Sequence, residues 1–428
     1  MRCERCGAMN PAGARFCGAC GAPLEREGLL SPAFLLVTAA ALIIAAGGAF
    51  LFLLFASPPG PVPLVPIAGR EPRLTLIEPH AGRSASVATG VSSDGSVVVG
   101  YSFNASGSGP FFWARWDLSA QRAFRWSQDA GITDIGPSGS ARTWAHAVSA
   151  DGRWVVGGFY TGARRWHPYR WSAAEGLSDL GTLGIDWADA LDVSADGRVV
   201  VGASYTPGPS PGWAVYAFRW TPEEGMRALG TLPGYRFSHA LGVSADGTIV
   251  VGETNRGPAP AWNESEAWIW TPAAGMRGLG VLPPWGSSSA RAVSDDGSTV
   301  IGLLFNDHDY ADWAQYPHRA FRWRADTGMQ DLGTLGGERT AVFHALTRDG
   351  GMVFGRSQTP SGEWRAFRWT PEKGIEDLNR LYDKAIPSGW VLREVMDCSP
   401  DGRYLVGWAE GPGGLLRAFL LDTGGVSP

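Results

Sequence analysis

Four cysteines at the start of the chain have the spacing of a metal site: Cys3 with Cys6, then Cys17 with Cys20, two C-x-x-C pairs separated by ten residues. A C-x-x-C turn aims two thiolates at one point, and two such turns supply the four sulfurs of a closed tetrahedral Zn(2+) site with no position left for water. That donor set implies a structural ion. So short a segment buries no sizeable core, so metal ligation must stabilise its fold. Gly7, Gly18 and Gly21 leave the backbone room to turn around each sulfur pair.

The remaining reactive side chains are less ordered. His146, His239 and His344 stand five or seven residues before an Asp-Gly dipeptide in three different repeats, where other repeats carry Asp189 or Arg291. A strand position that accepts imidazole, carboxylate and guanidinium is expected to line a channel or make structural hydrogen bonds rather than ligate a metal. Asp307, Asp309 and Asp312 form the one oxygen-rich loop, but it lacks the ordered glycine and terminal glutamate of an EF-hand and reads as solvated. Cys398 stands alone, a buried thiol by expectation. With no G-x-S-x-G, P-loop or H-E-x-x-H motif in the chain, no catalytic residue is assigned.

The elements that must position these groups fall into three segments. The first resembles, over residues 1–24, the zinc-ribbon modules found at the N-termini of many prokaryotic membrane proteins. The second has no charged side chain from Gly28 to Gly69, and its apolar core at 33–55 is long enough to cross a ~30 Å hydrocarbon layer as a transmembrane helix spanning 29–56. Arg2, Arg5, Arg15 and Arg26 precede it and the next basic residue is Arg70, which places the N-terminus in the cytoplasm and the rest outside the cell membrane. A proline-rich linker at 57–72 then leads to the third segment, 73–428.

That third segment repeats. Asp-Gly dipeptides begin at Asp94, Asp151, Asp196, Asp246, Asp296, Asp349 and Asp401, and each Asp is followed six residues later by a glycine, from Gly100 to Gly407. The spacing of 45 to 57 residues is that of propeller blades and far from helical solenoids. Within a unit, apolar runs broken by Asp-Gly and Pro-x-x-Gly turns predict four antiparallel strands. The expected fold is all-β, a seven-bladed β-propeller of four-stranded blades. The seventh unit ends at RAFLLD without a fourth strand and RLTLIEP at 73–79 precedes the first, so an N-terminal strand is expected to close the ring. Composition agrees, with 59 Gly, 30 Pro and 20 Trp pointing to short strands and tight turns, and a net charge of -5 giving no cationic face for nucleic acid.

The recurring V-S-x-D-G-x-x-V-V-G, A-F-R-W and D-L-G-T-L resemble the bacterial extracellular HAF repeat family over 73 to about 422. The second, fourth, sixth and seventh units depart from it with YRW, AWIW, TRDGGMVFG and AFLL. The resemblance implies an extracytoplasmic repeat protein and carries over no catalytic residue.

Spare tryptophans concentrate in two loop sets that share one face of a propeller. Trp113, Trp166, Trp213, Trp262, Trp313 and Trp364 lie between second and third strands, and Trp144, Trp187, Tyr235, Trp285 and Trp390 lie between blades. Flat rings with a polar edge suit a glycan, a peptide or an envelope protein, whereas Trp126, Trp171, Trp220, Trp270, Trp323 and Trp369 in the strands are expected to wedge between blades. The functional expectation is a membrane-anchored extracytoplasmic binding or interaction module with a cytoplasmic zinc ribbon. The alternatives are a hydrolase or lyase acting on polysaccharide from the propeller channel, and a structural spacer.

Overall fold

A computed structural model describes residues 70–105, 116–137, 140, 142–162, 165–208, 212–256, 264–306, 317–336 and 340–425, with 116–120 as backbone alone. Their strands form seven four-stranded antiparallel sheets. Six sheets are built from consecutive strands, at 85–134, 143–179, 188–230, 237–280, 287–331 and 341–377. The seventh combines Val391–Cys398, Tyr404–Glu410 and Leu416–Asp422 with Arg73–Ile77, which runs antiparallel to Leu416–Asp422 from Arg73↔Asp422 to Ile77↔Ala418. The last blade therefore takes its outermost strand from the start of the domain.

The repeated residues have local physical reasons. In each Asp-Gly turn the glycine sits at φ between 68° and 73°, where a Cβ is strained, as in Gly95 (70°) and Gly197 (73°). The aspartate holds the turn: Asp196 Oδ1 accepts from Ser194 Oγ at 2.7 Å and from the Arg198 N–H at 2.9 Å. Ser194 Oγ in turn accepts the Val199 N–H at 2.9 Å, which accounts for the serine of V-S-x-D-G. Burial alone would raise the Asp196 carboxyl, but these hydrogen bonds and the Arg198 charge outweigh it and hold it below the usual range.

The glycine of V-V-G answers to a bulge. The innermost strand of every blade slips against the second strand, once in blades 1 to 6, as between Ala190 and Asp192 in blade 3 and between Ala240 and Gly242 in blade 4, and twice in blade 7. Just before the bulge the two strands lie so close that a Cβ on Gly202 would overlap the carbonyl oxygen of Asp189. The bare backbone there is covered by the aromatic ring of its partner in the third strand, Gly202 opposite Phe218 and Gly252 opposite Trp268. These aromatic residues of A-F-R-W and its variants, Phe124 to Phe419, are fully buried in all seven blades.

Blades adhere through apolar seams. Val156 of blade 2 packs with Ala190, Val200 and Phe218 of blade 3, with Trp220 at its edge. Ile77, Val406 and Ala418 of blade 7 pack with Ala88, Val98 and Phe124 of blade 1, so the last blade meets the first. The strand tryptophans take part: Trp323 and Trp369 are buried, and Arg170 is sandwiched 3.9 Å from the Trp154 ring and 4.9 Å from that of Trp220. Among the described residues no helix is long and apolar enough to cross a membrane, and the segment at 33–55 lies outside them.

Candidate functional site

Two features of the ring stand apart from its packing, one on the face bearing the loops between blades and one along the axis. On the face, Trp187 leads into the innermost strand of blade 3 (Ala188–Val193), Tyr205 ends its second strand (Val200–Pro207), Trp213 opens its third (Trp213–Thr221), and Phe237 opens blade 4 (Phe237–Val243). The pairing Pro207↔Trp213 and the Tyr205 N–H to Trp187 carbonyl bond of 2.8 Å bring these strand ends together. Their rings form a ladder with centroid separations of 5.3, 4.9 and 5.2 Å and interplanar angles of 32°, 33° and 36°. Phe237 is its buried foot, while Trp187 and Trp213 are 46% and 38% exposed. Arg236 lies 5.5 Å over the Phe237 ring and donates to the Trp213 carbonyl at 3.1 Å, and an Arg165–Asp186 ion pair of 3.1 Å flanks Trp187. The result is an apolar ridge with charged edges.

The other candidate tryptophans have different places. Trp166 is 3% exposed, stacked with half-buried Trp144 at 3.3 Å between centroids and meeting Tyr160 edge-on at 4.8 Å. Trp285 is half-buried in the seam of blades 4 and 5, Trp364 lies under the Arg356 guanidinium at 4.4 Å, and Trp390 packs against the core of blade 7. Tyr235 donates its hydroxyl to Glu266 Oε2 at 3.0 Å. Trp113, Trp262 and Trp313, like Asp307, Asp309, Asp312 and the cysteines Cys3, Cys6, Cys17 and Cys20, lie outside the described residues.

The axial channel is lined by the innermost strands of all seven blades and holds a cavity of about 390 Å³ toward the Asp-Gly turns. The bulge aims its extra residue inward, and this is the position of His146 and His344. The three histidines do not converge. His146 Nε2 lies 3.1 Å from Asp189 Oδ2, and His344 Nε2 lies 2.7 Å from Glu394 Oε1; each acid belongs to the next blade. His239 stands two residues earlier in its repeat, 3.8 Å from Glu253, and burial holds it below the usual imidazole range, with Glu253 opposing and Arg291 adding to the effect. Glu394 is buried, which alone would raise its carboxyl. Arg356 at 3.2 Å, His344 and the Trp408 indole at 2.8 Å outweigh that and bring it to about 2. Among the described residues no group of three or more His, Cys, Asp or Glu is arranged to hold a metal ion.

Sequence reasoning passed over Asp192 and Asp397, which occupy one repeat position in blades 3 and 7. Asp192 Oδ2 accepts the Val243 N–H of blade 4 at 2.8 Å, and Asp397 Oδ2 accepts the Val91 N–H of blade 1 at 2.9 Å. Burial pushes them up to about 6 and about 7, and the charge of Asp192 adds to the shift at Asp397. Cys398 beside it is a buried free thiol that burial raises well above its ordinary value. A signal was present: both aspartates stand four residues before the turn aspartate, where the other five repeats have Gly or Ala.

Comparison with known proteins is consistent with this geometry. Residues 2–24 match the zinc-ribbon domain family, and the four N-terminal cysteines fall within that match. Among solved structures, the chain is similar to a puromycin hydrolase at 19% identity, TM-score 0.52, covering 80% of this chain and 52% of that one. It is also similar to a prolyl endopeptidase at 14% identity, TM-score 0.50, covering 79% of this chain and 50% of that one. A putative TolB from Agrobacterium tumefaciens aligns at 13% identity and TM-score 0.40, over 67% of this chain and 88% of that one. The chain thus spans about half the length of the hydrolase and the endopeptidase, and the first two likenesses speak for the propeller fold alone. No curated protein matches the chain.

Proposed function

We propose that the chain is a membrane-anchored propeller that binds an envelope glycan outside the cytoplasmic membrane on the ladder of Trp187, Tyr205 and Trp213. The observation that carries this reading is the exposure of Trp187 and Trp213 in a fold whose other large aromatic side chains, among the described residues, are buried or half-buried. A rigid ring supporting exposed rings loses little conformational entropy on binding, and the Arg165–Asp186 pair and Arg236 offer polar contacts at the edges. The uncharged segment at 33–55 and the arginines before it support a single-pass anchor with the propeller outside, as does the resemblance of the repeats to the HAF family. At the other end Cys3, Cys6, Cys17 and Cys20 would hold one structural Zn(2+) as thiolates, fixing the fold of a cytoplasmic contact module.

The test is a binding screen of the protein against envelope polysaccharides and against peptides, with Trp187→Ala and Trp213→Ala variants of unchanged melting temperature. Saturable glycan binding that both variants lose supports the reading. Binding to peptides alone would shift the ligand class. Glycan binding unaffected by either variant would remove the ladder from the account.

A further inference from the structure

The axial cavity is a second site, on the face opposite the ladder, because the two ends of the blade strands lie on opposite faces. Its charged lining is His146, Asp192, Arg291, Asp295, His344, Arg348 and Asp397. Four of these are neutralised in place. His146 and His344 bond to Asp189 and Glu394 of the next blades, and Arg348 pairs with Asp295. Three are not. Arg291, re-aimed by the bulge between Ala290 and Ala292, has its Nε buried without a hydrogen-bond partner. Asp192 and Asp397 hold backbone N–H groups but no cation, and Asp192 adds to the cost of ionising Asp397.

A guanidinium and two carboxyl groups, none with an ionic partner, surround one small cavity, and a ligand of opposite charge pattern would supply those partners. We infer that the channel is a binding pocket for a small zwitterion, its carboxylate held by Arg291 and its ammonium group or groups by Asp192 and Asp397. Free amino acids and short peptides have this pattern, and a basic amino acid matches all three charges. The cavity of about 390 Å³ is at the lower end of the size range of small-molecule sites.

The mouth agrees with a pocket entered from the Asp-Gly side. Around it the N–H of Ser93 donates to the Ala150 carbonyl at 2.9 Å, Ala150 to Ala195 at 3.0 Å and Ala195 to Ala245 at 2.9 Å; the Ala245 N–H donates to Asp295 Oδ1 at 3.2 Å, and the N–H groups of Asp295 and Arg348 donate to the Arg348 and Pro400 carbonyls. Pro400 has no N–H to give to blade 1, so the circuit is open between blades 7 and 1, where the Asp397 side chain bonds the Val91 N–H instead.

Titration calorimetry of the full-length protein with L-lysine, with cadaverine, which lacks the carboxylate, and with 6-aminohexanoate, which lacks the second ammonium, tests this. L-lysine should bind tightest, and Arg291→Gln should weaken it at least tenfold while leaving cadaverine unchanged. Asp192→Asn and Asp397→Asn should weaken all three probes, and Trp213→Ala should weaken none, which separates this pocket from the ladder. Should Arg291→Gln fail to fold, the comparison of L-lysine with cadaverine on the wild-type protein decides in its place. No binding by any probe, equal binding of L-lysine and cadaverine, or binding indifferent to Asp192 and Asp397 overturns the inference.

Discussion

Replacing Asp397 with asparagine should change how the propeller's stability depends on pH. In the folded chain burial lifts this carboxyl from 3.8 to about 7, with Asp192 contributing. At about 1.4 kcal/mol per pH unit the shift corresponds to about 4 kcal/mol. The sign follows from proton linkage: the folded chain keeps a proton that the unfolded chain releases, so stability falls as pH rises from 3.8 to about 7 and is level above. Over the window from about pH 5 to about pH 8 the loss comes to about 3 kcal/mol. Asparagine retains the carbonyl oxygen that accepts the Val91 N–H at 2.9 Å and cannot ionise. Urea unfolding of wild type and Asp397→Asn at both pH values should therefore show the variant gaining about 3 kcal/mol on wild type as pH rises. An equal difference between the two proteins at both pH values would refute the reasoning, because Asp397 would then titrate as an ordinary exposed carboxylate.

Three further outcomes are expected. Gly202→Ala should cost about 3 kcal/mol and lower the melting temperature, since its Cβ would overlap the Asp189 carbonyl at the bulge. Glu394→Gln should destabilise by about 3 kcal/mol near neutral pH by removing the carboxylate beside buried Arg356 and His344; in wild type this stabilisation is present above the unfolded value of 4.5 and is lost as pH falls through about 2. Deleting residues 70–79 should leave the Leu416–Asp422 edge unpaired, lowering the calorimetric transition and promoting self-association; an unchanged transition would mean that the Arg73–Ile77 strand contributes nothing to ring stability.

The architecture was legible because its signals are local. Each Asp-Gly pair marks a turn through a positive φ and a carboxylate that caps its own backbone, so the period could be counted from residues such as Asp196 and Gly197 alone. The second-strand glycine and third-strand aromatic were visible as recurrent, but their reason was not, because Gly202 and Phe218 meet only as cross-strand partners in the folded blade. The bulge also separates the places of the histidines. It turns the residue five before the turn aspartate into the channel, so His146 and His239, two positions apart, do not share a role. The inter-blade bonds of His146 with Asp189 and of His344 with Glu394 join residues 43 and 50 apart, and no spacing rule announces such pairs. Which tryptophan rings stay exposed depends on neighbours that spacing does not show: Trp166 is covered by Trp144 and Tyr160, whereas Trp187 and Trp213 extend past Phe237 with solvent on one side.

The most direct test of the ladder as the proposed binding surface is hydroxyl-radical footprinting of the full-length protein, purified and in intact cells that produce it. Trp187 and Trp213, both exposed, should oxidise rapidly in the purified protein and be protected in cells, with Val281 and Leu415 as exposed controls that stay unchanged. Equal oxidation of both tryptophans in the two settings would mean that nothing covers the ladder where the protein works, and would contradict the account.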